Sequence, residues 1–180
     1  MREGVELSTE RLLLRPIRLT DIAEVIEYSM VDDFSRHFGY FSVEHVEAFV
    51  AQNVLAPWDV GPRFSIVLDS KVIGGIGLTI DKKNKIAEIA YSMAKEHWGK
   101  GIITEAARRV VRWGFEELGL EKIYAHSDVL NVGSWHVMEK LGMTREGLLS
   151  GHSLARGVRH DDVYYGLLCE DWEASKALLE

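Results

Sequence analysis

The spacing of apolar and polar positions changes several times along the 180-residue chain, and each change predicts a different element. Near the N-terminus, Leu12-Leu13-Leu14 predicts an extended strand within residues 7–18. Apolar residues then recur at helical spacing over residues 21–29, and Ser42 predicts the N-cap of a second helix. The segment between these helices, residues 33–41, is predicted to be a loop.

The middle of the chain follows the period of a β-strand. Three strands are predicted over residues 63–68, 71–80 and 85–93, with turn-forming residues between them. Such short connections indicate an antiparallel meander. A helix is then predicted over residues 102–118, with its apolar residues on one stripe and Gly119 as a left-handed C-terminal cap.

Shorter elements complete the pattern: a strand over residues 123–127, a helix over 133–141, and strands over 143–150 and 163–168 around a polar loop at 153–162. The order of elements predicts one α/β domain (an α+β mixed sheet) over residues 1–180. Its sheet is expected to have about seven strands, mostly antiparallel, with about four flanking helices.

Composition narrows the class of protein. The formal net charge of −7 opposes a nucleic-acid partner, which requires a basic face, and slightly favours a cationic substrate. No apolar run approaches the ~18 uncharged residues of a membrane span, and the first residues carry no export signal. Cys169 is the single cysteine, so no internal disulfide is expected. We therefore expect a cytoplasmic protein without a membrane partner. The seven histidines lack the spacing of metal ligands, so no metal site is predicted.

A glycine turn at the start of the longest predicted helix has the features of an anion site. The first helical turn leaves its N–H groups without internal partners at the positive end of the macrodipole, where phosphate is favoured. Gly99 and Gly101 remove the Cβ atoms that would block close approach, Lys100 adds a charge, and Thr104 adds a hydroxyl. The spacing excludes the P-loop and dinucleotide motifs, while a purely structural turn stays open.

Two segments resemble the ribosomal-protein N-acetyltransferase (RimJ/RimL-like) branch of the GNAT superfamily. Residues 98–106, Trp-Gly-Lys-Gly-Ile-Ile-Thr-Glu-Ala, resemble its acyl-CoA loop. Residues 131–143 resemble its pattern Asn-x-x-Ser-x-x-Val-x-Glu-Lys-Leu-Gly-Phe, with Met143 replacing the aromatic residue. Residues 9–15 and 162–172 match as well, so the resemblance spans nearly the whole chain.

This resemblance implies a GNAT-like domain whose sheet splays open after the strand that ends at Met93, and a cofactor, acetyl-coenzyme A (acetyl-CoA). Its pyrophosphate is expected on the main-chain amides of residues 99–102. Asn131 is expected to reach the pantetheine arm, to cap a helix, or to do both. The implied cofactor-binding residues are Met93, Ala94, Trp98, Gly99, Lys100, Gly101, Ile102, Thr104, Asn131, Ser134 and Lys140.

Amide formation from a thioester then suggests the catalytic residues. Glu88, on the strand leading into the loop, is the candidate base acting through a water, with an exposed strand glutamate opposite a lysine as the alternative. Ser134 is the candidate to protonate or hydrogen-bond the leaving sulfur, because Met138 stands where many GNAT enzymes have a tyrosine acid. A main-chain N–H near Met93 or Ala94 is expected to stabilise the oxyanion.

The resemblance implies direct acetyl transfer to the amine at a protein N-terminus, for example that of a ribosomal protein. An α-amino group with a pKa near 8 is partly neutral at pH 7, whereas a lysine at ~10.4 is almost wholly charged. Two alternatives stay open: acetylation of a small amine (a polyamine, an amino-sugar antibiotic or an amino acid derivative), or a non-catalytic acyl-CoA-binding module. Substrate recognition is expected from residues 36–41, 57–58 and 153–160. The chain is expected to be a monomer or a homodimer.

Overall fold

The computed structural model describes residues 4–31, 42–155 and 157–177. Within these residues the strands are β1 Leu7–Ser8, β2 Leu13–Pro16, β3 Arg63–Leu68, β4 Lys71–Asp81, β5 Ile86–Met93, β6 Lys122–Asp128, β7 Thr144–Ala155 and β8 Val158–Leu168. The α-helices are α1 Ile22–Ser29, α2 Val43–Leu55, α3 Ile102–Glu116, α4 Val132–Lys140 and α5 Cys169–Ala177. Short 3₁₀ helices occupy Leu19–Asp21 and Lys95–His97.

One sheet joins all eight strands in the order β1-β2-β3-β4-β5-β6-β8-β7. Neighbouring strands are antiparallel except β5 and β6, which run parallel. The register of this parallel pair covers only residues 86–88 against 122–124. Beyond that point β5 continues to Met93 and β6 to Asp128, so the two strands diverge into a V. The predicted splayed, mostly antiparallel sheet is therefore confirmed.

Helix α3 fills the main core on one face of the sheet. Its inward stripe is almost fully buried: Ala106, Ala107, Val110, Val111 and Trp113. A Cβ added at Gly114 would lie 2.9 Å from the terminal methyl group of Ile123, so a larger residue there would displace this buried side chain of β6. Burial of this stripe, at ~25 cal/mol per Å² of apolar surface, anchors the helix whose first turn forms the site described below.

Among the described residues, the opposite face of the sheet is covered only in part. There α1 and α2 pack against β4 through a smaller cluster that includes Val25, Tyr28, Val46, Val50 and Val72. On the same face, β6 and β8 present polar side chains, among them His126 and Asp128. The two faces therefore differ: one is an apolar core beneath α3, and the other carries an accessible polar region. Within the described segments, no helix is both long and apolar enough to cross a membrane.

A buried ion pair fixes the N-terminal strands. Arg15 donates two hydrogen bonds of 2.8 Å to Asp21, which is 1% exposed and also accepts one of 2.6 Å from the hydroxyl of Ser65. Burial raises the pKa of Asp21, but the hydrogen bonds from Arg15 and Ser65 oppose it, and the net pKa is lowered. Removing one partner of such a pair typically costs about 3–5 kcal/mol.

Four features differ from the prediction. The single strand expected over residues 7–18 is a hairpin of β1 and β2, and α5 follows β8 directly, so Cys169 begins a helix instead of ending a strand. The polar loop expected over residues 153–162 is a tight hairpin, because strands with one solvated face carry polar residues without leaving the sheet. Within the described residues, the sheet thus has eight strands instead of about seven, and with α5 there are five α-helices instead of about four. The loop predicted at 33–41 lies outside the described residues.

Candidate active site

The glycine turn before α3 has the backbone of an anion cradle. Gly99 and Gly101 adopt φ of +72° and +73°, a region that costs other residues about 1–2 kcal/mol. The first hydrogen bond of the helix runs from the Glu105 N–H to the Gly101 carbonyl at 3.0 Å. The N–H groups of residues 102–104 come before it and therefore have no acceptor within the helix. A Cβ added at Gly99 would meet no atom within 4 Å, so conformation and access, not packing, require glycine here.

The N-terminal segment holds this turn in place. Glu105, in the first turn of α3, accepts hydrogen bonds from the Thr9 hydroxyl at 2.6 Å and from Arg11 Nε at 2.7 Å. Arg11 Nη1 also donates to the Lys100 carbonyl at 3.3 Å. Residues 9–15, one of the matching segments of the sequence, thus have a structural task that the sequence analysis missed. The acidic residue at position 105, inside the loop motif, was the feature of the sequence that could have indicated these contacts.

A cleft of about 510 Å³ runs from the glycine turn, along the diverging end of β5, to the first turn of α4. The structure brings most of the predicted cofactor residues together on its walls: Met93, Trp98, Gly99, Gly101, Ile102, Thr104, Asn131, Ser134 and Lys140. Ala94 and Lys100 do not line it. Sequence reasoning did not assign the remaining wall residues, Tyr91, Ser92, Ile103, Leu130, Val132, Gly133, His136 and Val137.

The main chain at the end of β5 distinguishes the two predicted oxyanion donors. The Ala94 N–H donates to the Ile73 carbonyl at 2.8 Å within the sheet, which leaves the Met93 N–H as the candidate donor of the two. With the register of Gly74 opposite Met93, this bond makes Gly74 and Met93 a non-hydrogen-bonded pair. The N–H and carbonyl of Met93 therefore face away from β4, toward the gap between β5 and β6. There the Met93 carbonyl accepts the Trp98 indole N–H at 2.9 Å.

The first turn of α4 forms the opposite wall. Asn131 caps the helix, since its Oδ1 accepts the N–H of Ser134 at 3.3 Å. The Tyr91 hydroxyl, from β5, donates to the Ser134 carbonyl at 2.9 Å and lies 3.3 Å from Ser134 Oγ. Burial raises the pKa of Tyr91 to about 12. Met138, one helical turn beyond Ser134, is 1% exposed in the core and brings no polar group to the cleft.

Glu88 lies at the vertex of the V, on the face of the sheet opposite α3. Its partner in the register with β6 is Tyr124, the last paired residue before the strands diverge. Its partner on β4 is Thr79, so the alternative of a strand glutamate paired with a cross-strand lysine is wrong. Instead, Glu88 Oε1 lies 3.2 Å from His126 Nε2. Glu88 does not line the cofactor cleft, and it approaches the gap from the other side.

His126 links Glu88 to a buried carboxylate. Its Nδ1 lies 3.4 Å from Asp162 Oδ2, and its ring stacks on Tyr164 with 4.8 Å between centroids. Hydrogen bonding to Glu88 raises the pKa of His126 despite partial burial, and the nearby charge of Asp162 adds to this. The same hydrogen bond lowers the pKa of Glu88, against the effect of burial. An imidazole between two carboxylates favours its charged form, because each ring nitrogen then donates.

The surrounding strands add further charge to this accessible face. Asp162 is 2% exposed and accepts a hydrogen bond of 2.8 Å from Ser153, while Asp128 pairs with His160 at 2.7 Å. The predicted recognition segment at 153–160 therefore contributes residues to the same polar region. This acidic surface suits a cationic group better than an anionic one.

Of the other two predicted recognition segments, the one at residues 57–58 does not contribute here. Trp58 packs against Phe64 and Trp113, with centroids 5.1 Å and 6.4 Å away, so the prediction for residues 57–58 is wrong. Trp113 lies about 16 Å along α3 from Ile102, at 1.5 Å per residue. An aromatic loop residue has here joined the core instead of forming a binding surface. Residues 36–41 lie outside the described part of the chain.

The fold and this site define an acyltransferase, and comparison with known proteins identifies its family. Residues 11–144 match the family described as Acetyltransferase (GNAT) domain. The chain belongs to the GNAT acetyltransferase family, and it is an acetyl-CoA-dependent N-acetyltransferase. The alternative of a non-catalytic acyl-CoA-binding module is therefore not supported.

The relatives differ in the acceptor that their names give. YdaF of Bacillus subtilis (strain 168), which carries the provisional name ribosomal N-acetyltransferase, is 39% identical over 117 residues, 64% of this chain and 64% of its own, less than two thirds of its length. Spermidine N(1)-acetyltransferase of Escherichia coli (strain K12) is 30% identical over 79% of this chain and 77% of its own. A GNAT-family acetyltransferase from Bacillus anthracis superposes with a TM-score of 0.83 at 29% identity, covering 92% of this chain and 99% of that one.

The residues of the cleft fit this cofactor. A diphosphate needs several converging donors that side chains do not obstruct, and the glycine turn offers main-chain N–H groups at the positive end of a 15-residue helix. An extended arm needs an open channel with main-chain partners, and the diverging end of β5 provides one next to Met93.

Proposed function

We propose that the enzyme acetylates the α-amino group at the N-terminus of a protein, with ribosomal proteins as the candidate class, in the cytoplasm. One observation carries this proposal: Glu88, the candidate base, is held by His126, which lowers the pKa of Glu88. A carboxylate of low pKa is a weak base. It suits an α-amino group with a pKa near 8, of which roughly a tenth is neutral at pH 7, better than an amine near 10.4.

In this proposal the cleft holds acetyl-CoA chiefly through the main chain. The N–H groups of residues 99–102 hold the diphosphate, with Lys100 adding positive charge at the rim, and Asn131 lies beside the pantetheine arm. The bound cofactor supplies a thioester whose carbonyl carbon is open to attack by an amine. The Met93 N–H, which faces the gap, is placed to donate to the developing oxyanion, a contribution of about 3–4 kcal/mol in other enzymes.

Glu88 acts from the other face of the sheet. It lies where β5 and β6 diverge, so an amine entering from the polar face reaches the gap beside it. The carboxylate takes the amine proton through a water, and His126 and Asp162 keep the carboxylate oriented. Alignment of the two reactants across the gap then accounts for most of the rate, since such alignment can supply about 7 kcal/mol or more.

A second candidate acceptor is a polyamine. Three carboxylates on the polar face, those of Glu88, Asp128 and Asp162, favour a multiply charged cation, and one relative is named a spermidine acetyltransferase. His126, whose pKa is raised by its hydrogen bond to Glu88, compensates part of this negative charge. That compensation is why we place the polyamine second.

Three matched acceptors separate the candidates. Thiol release from acetyl-CoA is measured at pH 7 with a peptide bearing a free N-terminus, with the same peptide blocked at its N-terminus and carrying one lysine, and with spermidine. The largest kcat/KM is expected for the free N-terminus. A larger kcat/KM for spermidine, or for the lysine of the blocked peptide, would contradict the proposal.

A further inference from the structure

Tyr91 reaches across the cofactor cleft from β5 to α4. Its hydroxyl donates to the main-chain carbonyl of Ser134 at 2.9 Å, and its oxygen lies 3.3 Å from Ser134 Oγ. Both residues line the cleft. These are the two side-chain hydroxyls that face each other where the channel meets the first turn of α4.

The direction of these hydrogen bonds gives the pair a definite arrangement. A tyrosine hydroxyl has one proton, and here that proton is committed to the Ser134 carbonyl. The Tyr91 oxygen is then an acceptor toward Ser134 Oγ, which restricts the serine to rotamers that keep its hydroxyl at the cleft wall. A serine hydroxyl can rotate its proton from one acceptor to a better one without moving its oxygen.

The need for such a group follows from Met138. One helical turn beyond Ser134, its thioether lies in the core, 1% exposed, so this next position of α4 brings no polar group to the cleft. When the C–S bond of a thioester breaks, the electron pair stays on sulfur, and a hydrogen-bond donor stabilises that charge. Hydrogen bonds to charged groups are about twice as strong as those between neutral groups.

We propose that Tyr91 is a positioning residue that holds Ser134 Oγ where its hydroxyl donates to the sulfur of coenzyme A as the thiolate leaves. This inference rests on the proposed placement of acetyl-CoA in the cleft. Burial raises the pKa of Tyr91 to about 12, so Tyr91 keeps its proton over the whole working range of pH. The Ser134 rotamer is therefore held equally at pH 7 and pH 9.5.

The test compares binding of coenzyme A with binding of desulfo-coenzyme A, which lacks the sulfur, at pH 7 and at pH 9.5. A free thiol has a pKa near 8.5, so most of it is thiolate at the higher pH. Calorimetry on the wild-type protein is expected to show a preference for coenzyme A that grows about tenfold between the two pH values. Tyr91→Phe, which keeps the ring, and Ser134→Ala are each expected to abolish this growth, so that the ratio of the affinities for coenzyme A and desulfo-coenzyme A is the same at both pH values in each variant.

The double variant shows whether Tyr91 acts through the serine. Tyr91→Phe is expected to change nothing further in the Ser134→Ala background. A further loss there would mean that Tyr91 itself contacts the sulfur, and a preference that survives in either single variant would also overturn the inference. Failure of the wild-type protein to bind desulfo-coenzyme A would instead refute the cofactor placement, and this inference with it.

Discussion

The two sides of the gap between β5 and β6 present different kinds of chemical group. On the side of α3, the cleft presents main-chain groups: the amides after Gly99 and Gly101, and the N–H of Met93. On the other side, the polar face presents side chains, above all Glu88, His126 and Asp162. A main-chain donor survives almost any substitution unless a new side chain blocks it, whereas one exchange removes a carboxylate.

This difference separates two functions that can change independently. The cofactor side is fixed by backbone conformation and by the packing of α3. The acceptor side is a set of replaceable groups on β5, β6 and β8. Acceptor choice can therefore diverge between relatives while the cofactor site is retained, which agrees with the different acceptors that their names carry.

The largest effect is expected from blocking the main-chain cradle. Gly101→Val, and equally Gly99→Val, places a branched side chain at a φ of +73° or +72° and shields the amides. Losing two hydrogen bonds to a charged group, at about 2 kcal/mol each, lowers coenzyme A affinity about 1,000-fold. Calorimetry measures this directly.

Gly119→Val is the matched control for that experiment. Gly119 has a φ of +66° at the other end of α3, with no atom within 4 Å of an added Cβ. It should lower the melting temperature through similar backbone strain and leave coenzyme A affinity unchanged. Equal affinities in the Gly101 and Gly119 variants would refute the cradle.

Removing the carboxylate on the polar face should affect the rate and spare the cofactor. Glu88→Gln is expected to reduce kcat about 100-fold at pH 7, with unchanged coenzyme A affinity, because a positioned base contributes about that much or more. The reduction should shrink above pH 8, where more of the amine is already neutral. Glu146→Gln, which removes a strand carboxylate paired with Lys122, is the control. A reduction independent of pH would assign Glu88 a structural role.

Two helix caps test whether Asn131 does more than end a helix. Asn131 and Ser42 each accept a main-chain N–H at 3.3 Å, so replacing either by alanine should cost about 1 kcal/mol of stability. Only Asn131→Ala should also weaken coenzyme A binding, by about tenfold, because Ser42 caps α2 away from the cleft. Binding that is equally unaffected in both variants would leave Asn131 as a cap alone.

The smallest effect concerns stability and pH on the polar face. The raised pKa of His126 means that its charge stabilises the fold fully below pH 6.5, and that this contribution is lost as the pH rises through the folded-state value. The lowered pKa of Glu88 means that the contribution of its charge to stability is present above pH 4.5 and is lost as the pH falls through the folded-state pKa. Glu88 faces the ring from β5, and Asp162 and Tyr164 face it from β8.

His126→Gln is therefore expected to lower the free energy of unfolding by ~0.5–1 kcal/mol at pH 6, with solvent screening included, and by less at pH 9. Urea denaturation at the two pH values measures the difference. The wild-type protein at the same two pH values is the reference. A loss of unfolding free energy that is larger at pH 9 than at pH 6 would contradict the assigned direction of the pKa shift of His126.

The contrast between local main-chain features and side chains from distant positions also explains which parts of the site could be predicted from the sequence. The glycine turn, the α3 stripe and the caps at Ser42 and Asn131 depend on neighbours within one or two helical turns, so local spacing predicted them. The Glu88–His126–Asp162 chain joins residues up to 74 positions apart, and the contact of Thr9 with Glu105 spans 96. Local spacing cannot predict such contacts, because only the order of the strands in the sheet brings these residues together.

Tyr91 and Trp58 illustrate the two kinds of error. Tyr91 looked like an ordinary alternating strand residue, and only the divergence of β5 from β6 turns it toward α4. Trp58 looked like an exposed aromatic residue on a loop, yet it packs on Trp113. Both outcomes depend on which neighbour the fold supplies.

The position of Trp98 makes ligand binding visible in the protein's own fluorescence. Its indole lies on the cleft wall, 44% exposed and hydrogen-bonded to the Met93 carbonyl, whereas Trp113 is 2% exposed within the core. A molecule that fills the cleft displaces water from the first indole and leaves the second unchanged. The emission of this chromophore should therefore shift to shorter wavelength as the cleft fills, so that occupancy can be followed without a label.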